Sequence, residues 1–189
     1  MIMYPIRIVL AAWLAFAIFW LVEGLKAKPA EKREPPGERL AHILLMTVAF
    51  YLVFPHRLRL GILDQRLLPR EPWLATLGVA LTCAGVAFAM WARHHIGQYW
   101  SARVSIVSEH KLIRTGPYAR IRHPIYTGML LALVGTGLVV DRYRVLVGLA
   151  MALFGFARKA RKEEAFLAAQ FGEAFEEHRR QTGFLLPKL

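Results

Sequence analysis

Residues 73–92 form a run of twenty without a charged side chain, opened by Trp73, with Trp91 near its end and Arg93 directly after it. A helix needs about 20 apolar residues to cross the hydrocarbon core of a bilayer, and Trp is favoured where that core meets water. The run predicts a membrane-spanning helix. Few other surroundings suit twenty such residues in a chain of this size, so this feature frames everything around it.

Four further apolar runs accompany it. Residues 4–22 are apolar apart from Pro5 and Arg7. A cleaved leader would want a basic start and small residues at its end. Here a single Arg precedes the run and Glu23-Gly24-Leu25-Lys26 follows it, so a retained helix is expected. Residues 40–54 are short of a full span, although a start near Gly37 would lengthen them. Residues 125–140 and 145–156 flank Asp141-Arg142-Tyr143-Arg144 and read as a helical hairpin closed by that quartet. Residues 158–181 are charged, with a helical period. The expected fold is an all-α integral membrane protein with about five transmembrane helices, a C-terminal helical hairpin and an amphipathic capping helix. Residues 1–92 would carry three spans. Residues 93–189 would carry a polar loop, the hairpin and the last helix.

Composition agrees. Hydrophobic residues make up 56% of the chain and charged ones only 20%, which excludes a disordered or fibrous chain. Cys83 is the only cysteine, so an intrachain disulfide and a cysteine-cluster zinc site are excluded. Lys and Arg outnumber Asp and Glu by 25 to 13. Eighteen of those 25 lie in residues 26–39, 93–122 and the C-terminal segment, which the span order places on one side. Basic loops stay in the cytoplasm, so that side is expected to be cytoplasmic and the N-terminus outside. The same argument removes a nucleic-acid partner: the basic residues of 93–122 are explained by their place between spans.

Two segments carry polar groups that a plain bundle does not need. In the first, His110-Lys111-Leu112-Ile113-Arg114-Thr115-Gly116-Pro117-Tyr118 is followed by Arg122-His123-Pro124-Ile125-Tyr126-Thr127-Gly128. Pro124 suits the first position of a helix, where its missing N–H costs nothing. His123 then falls at the N-cap and Tyr126 in the first turn, beside free N–H groups that suit an anion. Gly116-Pro117 is a turn signal. In the second, Glu163, Leu167, Phe171 and Phe175 recur at spacing four, which sets Glu163 on the apolar face of its helix. A carboxylate there must find a cation or a donor. The neighbouring basic run, residues 158–162, also suits phospholipid headgroups. His94-His95 do not form a metal-ligand spacing, and metal is not expected.

The run from Gly116 to Gly128, with Glu163-Glu164…Leu167…Phe171-Gly172 at the expected distance and Gly97-Gln98-Tyr99-Trp100-Ser101 upstream, resembles the isoprenylcysteine carboxyl methyltransferase family, in a short prokaryotic form. That family is related more distantly to membrane phospholipid methyltransferases and sterol reductases. The resemblance implies a membrane methyltransferase using S-adenosyl-L-methionine and acting on a lipophilic acceptor from the bilayer, with the active site on the cytoplasmic face of a prokaryotic inner membrane. Carried over by position, His110, Lys111, Leu112, Ile113, Tyr118, His123, Pro124, Tyr126, Glu163 and Glu164 would line the cofactor. Arg158 or Arg161 would meet the acceptor. Helical phase favours Glu163 over Glu164 as the cofactor contact. The alternatives are a lipid N-methyltransferase on the same scaffold, a non-catalytic membrane scaffold, and a reductase-like enzyme taking NADPH. Oligomeric state is left open.

Overall fold

The computed structural model describes residues 3–25, 36–55, 59–69, 71–97 and 112–188. Among them are six α-helices: α1 (Met3–Leu25), α2 (Pro36–Val53), α3 (Pro72–Ile96), α4 (Pro124–Val140), α5 (Tyr143–Phe171) and α6 (Glu173–Gln181). Short 3-10 turns stand at Gly61–Asp64 and Gly116–Ala119. α3 packs along α4, α1 lies against α3, and α2 pairs with α5.

The α3–α4 seam is built on glycine. Gly78 and Gly85 on α3, and Gly128 and Gly135 on α4, are each seven residues apart, two turns along one face. A Cβ at Gly85 would fall 2.4 Å from the backbone nitrogen of Ala132, and one at Gly135 would fall 2.4 Å from that of Thr82. Only hydrogen fits between backbones that close, and small residues are what let membrane helices approach. Thr82 and Thr136 turn their hydroxyls back onto Gly78 and Ala132 carbonyls, each at 2.8 Å. Trp13 donates its indole N–H to Thr136 at 2.9 Å, which keys α1 into the seam. Phe16, Phe50 and Phe54 meet the Trp13 ring edge-on.

Both ends of this core are tied by charge. At one end, the Asp141 carboxylate accepts from the Leu67 and Leu68 N–H groups at 3.2 and 2.8 Å and pairs with Arg66 at 2.5 Å. Arg144 donates to Asp64 and to the Phe54 carbonyl, both at 2.8 Å, and to the Leu52 carbonyl. The predicted polar quartet thus closes the hairpin and also clamps residues 59–69 over it. At the other end, buried Arg93 donates to the Glu23 carbonyl at 2.8 Å and to that of Gly97 at 3.0 Å. It thereby joins the ends of α1 and α3.

One expected boundary is absent. The last apolar run and the charged segment after it are a single helix of 29 residues. Residues 157–170 are mostly Ala, Leu, Arg, Lys and Glu, all good helix formers, so nothing halts the helix until Gly172 at φ +53°. The separate capping helix is only α6, nine residues long.

α1 and α3 are long and apolar enough to cross a membrane; α4 is a shorter apolar helix of 17 residues. α1 turns Leu14, Ile18 and Leu21 outward at 62, 55 and 71% exposure. Contiguous apolar surface of this kind suits lipid and is penalised in water.

Candidate functional site between α4 and α5

The chain reaches α4 through a tight sequence of turns. Thr115 is extended, Gly116–Ala119 make one 3-10 turn, and His123 is the N-cap of α4 with buried Pro124 at the first helical position. The proline presets the helical dihedral. His123 makes no side-chain capping bond, and its ring turns to α5 instead.

There Glu163 and Glu164, about 100° apart around the helix axis, take the imidazole from two sides. Glu163 Oε2 stands 3.6 Å from Nδ1, and Glu164 Oε1 stands 3.2 Å from Nε2. The Tyr126 hydroxyl donates to Glu163 Oε1 at 2.6 Å, and Arg122 Nε donates to Glu164 Oε1 at 2.5 Å. His123 stacks on Tyr126 with centroids 5.8 Å apart, and Tyr126 stacks on Phe156 at 5.1 Å. The result is one compact cluster of an imidazole, a phenol, a guanidinium and two carboxylates, walled by aromatic rings.

Its electrostatics follow from that arrangement. Burial works against a charged His123, but the hydrogen bonds and charges of Glu163 and Glu164 outweigh it and hold the imidazole above its ordinary pKa. Burial likewise opposes ionised Glu163. Its bond to His123, the charges of His123 and Lys159 and the Tyr126 hydroxyl reverse that and lower it. Glu164 is lowered in spite of burial by His123 and Arg122. All three directions favour the charged forms, a protonated imidazole beside two ionised carboxylates.

Tyr118 forms the adjoining wall. It is buried, and its hydroxyl donates to the Ala92 carbonyl at 3.4 Å. Burial raises its pKa and keeps the phenol neutral. Tyr118, Ala92 and Ile125 form a small apolar cluster that Ile113 and Tyr126 join. His95, at the end of α3, bonds to the Thr115 hydroxyl at 2.9 Å and stacks on Tyr118 at 6.4 Å. Gly116, at φ +58°, lies so close that an added Cβ would meet the His95 ring at 2.7 Å.

Of the expected site residues, His123, Pro124, Tyr126, Glu163 and Glu164 come together here. Ile113 and Tyr118 line the adjoining cluster, with Leu112 half-buried beside them in sequence. His110 and Lys111 lie outside the described residues, as do residues 98–101 of the upstream motif. Arg158 is half-buried and Arg161 exposed; among the described residues, neither bonds to the cluster. The basic groups that do act on the two carboxylates are Arg122 and Lys159. In the sequence Arg122 stands inside the motif without an assigned partner, while for Glu163 any of the basic neighbours could serve, Lys159 among them. Its spacing of four from Glu163 was the available signal. Phe184 was also missed; its ring meets His123 edge-on at 5.2 Å, and no local pattern announces it.

This arrangement has parallels in known proteins. The chain is 33% identical over 119 residues to the cobalt-zinc-cadmium resistance protein CzcN of Cupriavidus metallidurans, covering 62% of this chain and 52% of that one. It is 27% identical over 115 residues to the protein-S-isoprenylcysteine O-methyltransferase of Schizosaccharomyces pombe, covering 59% and 49%. Its fold is similar to that of a eukaryotic intramembrane Ras methyltransferase, with a TM-score of 0.57 and 20% identity over 83% of this chain and 54% of that one. The chain therefore spans about half the length of each of these relatives. Residues 78–169, which hold most of α3, all of α4 and the Glu163-Glu164 pair, match the sequence profile of the isoprenylcysteine carboxyl methyltransferase family.

Proposed function

We propose that this protein is a membrane methyltransferase that takes S-adenosyl-L-methionine as methyl donor and a lipophilic acceptor from the bilayer, of the carboxyl O-methyltransferase type. The observation that carries the reading is the pair of carboxylates, Glu163 and Glu164, converging with Tyr126 on one buried imidazole at the start of α4.

The donor set suits that cofactor. Two carboxylates and a phenol offer acceptors and a donor for an ammonium and ribose hydroxyls. The rings of Tyr126, Phe156 and Tyr118 offer flat apolar surface for a heterocycle and shield a sulfonium from water. When bound, the cofactor would supply an electrophilic methyl group, its thioether leaving as the acceptor takes the methyl. The protein's part is alignment and exclusion of water. An ionised carboxylate acceptor needs no general base. Arg158 or Arg161, five and two residues before Glu163 on α5, would hold that carboxylate through paired N–H donors. Tyr126 and His123 keep Glu163 oriented.

We read α1 to α4 and the apolar first half of α5 as five membrane helices. Residues 1–92 supply three of them, and residues 93–189 carry the site. The basic side of the chain holds the site, which favours the cytoplasmic face, and the resemblance to a short prokaryotic form favours an inner membrane.

Calorimetric titration of the detergent-purified protein with S-adenosylhomocysteine, beside His123→Ala, tests this. Saturable binding by the wild type that His123→Ala abolishes is the expected result. No binding by folded wild-type protein overturns the reading in favour of a scaffold or a reductase-like enzyme. Given binding, transfer of methyl to an S-prenylated cysteine with a free carboxylate is expected. Transfer only to an amine headgroup would make the chain a lipid N-methyltransferase.

A further inference from the structure

The segment after α6 closes the α4 end of the site. It lies beyond the matched residues 78–169. Gly183 pairs with Ile121 in a parallel bridge. The Gly183 N–H donates to the Arg120 carbonyl at 3.0 Å, and the Arg122 N–H donates back to the Gly183 carbonyl at 2.9 Å. The His123 N–H donates to the Phe184 carbonyl at 3.3 Å, and the Thr127 hydroxyl to the Leu185 carbonyl at 2.6 Å. Groups just ahead of a helix have no partner within it, so these bonds from residues 182–185 satisfy a stretch of backbone that would otherwise need water. The tail is itself anchored. Buried Thr182 donates to the His178 carbonyl at 2.6 Å, and the Arg122 guanidinium donates to the Thr182 carbonyl and, at 3.2 Å, to that of Arg179.

The same tail reaches the side chains of the cluster. The Phe184 ring stands edge-on to the His123 imidazole at 5.2 Å and 74°, and the Arg122 guanidinium lies over the Phe184 ring at 5.8 Å. His123 is thus held in four ways. Glu163 and Glu164 take its two nitrogens, Tyr126 covers a face, and Phe184 meets the ring while its carbonyl holds the backbone. The carboxylates alone fix two points of a ring that can still tilt about the line joining them. Phe184 stands where it would limit that tilt, with its ring also under the Arg122 guanidinium.

We propose that residues 182–185 are a wall of the site and that Phe184 is a positioning residue, which sets the His123 ring between Glu163 and Glu164. Its consequence for cofactor binding rests on the function proposed above; its consequence for His123 does not. The charged groups facing the imidazole are Glu163 and Glu164 from α5, supported by Lys159, and Arg122 from its own loop. The tail adds no charge between residues 182 and 186. Replacing Phe184 therefore changes shielding and geometry without changing charge.

The test compares wild type, Phe184→Leu and Phe184→Tyr in detergent micelles. The first readout needs no ligand: NMR titration of histidine-labelled protein, with the His123 signal assigned from His123→Gln. Phe184→Leu is expected to move the His123 midpoint by about half a pH unit, because water reaching the ring changes both the burial that lowers it and the carboxylates' hold that raises it. Phe184→Tyr, which keeps the ring, is expected to match wild type. The second readout is S-adenosylhomocysteine titration, where Phe184→Leu should bind about tenfold more weakly with Phe184→Tyr near wild type. An unmoved His123 midpoint in folded Phe184→Leu overturns the positioning role. So does a change that Phe184→Tyr fails to restore. If the midpoint moves but wild type binds no S-adenosylhomocysteine, the positioning role stands and the methyltransferase reading falls.

Discussion

The hydroxyl of Tyr126, in the first turn of α4, stands 2.6 Å from Oε1 of Glu163 on α5. It ties the first turn of α4 directly to α5, and it orients a carboxylate that His123 approaches from its other oxygen. A hydrogen bond to a charged group contributes about 1.5–3 kcal/mol. Tyr126→Phe, which keeps the stacking on Phe156, is expected to weaken S-adenosylhomocysteine binding by about tenfold or more. Unchanged affinity would show that this bond does not orient a ligand-binding group.

Glu163 and Glu164 are adjacent but not equivalent. Glu164 answers Arg122, whose side chain is only 11% exposed. Glu164→Gln leaves Arg122 its bonds to the Arg179 and Thr182 carbonyls but removes the charge that answers it; a hydrogen bond to a charged group contributes about 1.5–3 kcal/mol, so the variant is expected to lower the denaturation midpoint. Glu163→Gln, with Tyr126 still able to bond to the amide oxygen, is expected to keep most stability and lose cofactor affinity. Normal binding by Glu163→Gln together with none by a folded Glu164→Gln would reverse the assignment.

The cluster also makes stability depend on pH in a defined direction. His123 is raised, so its contribution is full below its ordinary value of 6.5 and is lost as pH climbs through the higher folded value. Glu163 and Glu164 are lowered, so theirs is full above 4.5 and is lost as pH falls through the lower folded values. Thermal stability from this cluster should peak between those limits and decline on either side. His123→Gln should flatten the alkaline decline. A decline that persists undiminished in that variant would place its origin elsewhere.

The α3–α4 seam gives a prediction about the scaffold. Gly85→Ala forces a Cβ against the Ala132 backbone, whereas Gly24, on α1, has open space around it. Overpacking of this kind costs about 1–3 kcal/mol. Gly85→Ala is expected to lower the midpoint of thermal denaturation by about 4–8 °C, with Gly24→Ala close to wild type. Equal behaviour of the two would mean that the helices are not in backbone contact in the folded protein.

Much of this was legible locally. The helix at residues 73–92, the proline-led start of α4 and the polar turn at 141–144 are read from neighbours in sequence, because burial in lipid, a missing N–H and a charged quartet act over one or two turns. The boundary before α5's charged half was misread for a related reason. Hydropathy falls sharply at Arg158, but helix propensity does not, and the backbone follows propensity until Gly172 permits a positive φ. The two motifs were visible as separate segments, and their likeness to a known family was what joined them.

What the sequence by itself determined is therefore which residues are apolar, which turn, and which carry chemistry. What only the tertiary structure decided is who faces whom. Glu163 and Glu164 meet His123 across some forty residues, Arg122 rather than Arg158 or Arg161 answers Glu164, and Phe184 returns from the C-terminus to press on the imidazole. The reason is physical. Helix and turn preferences are set by short-range sterics and hydrogen bonds, which the local sequence encodes. Partners between distant segments are set by how closely α4 can lie on α3 and how far α5 runs past the hairpin, and no single segment carries that information.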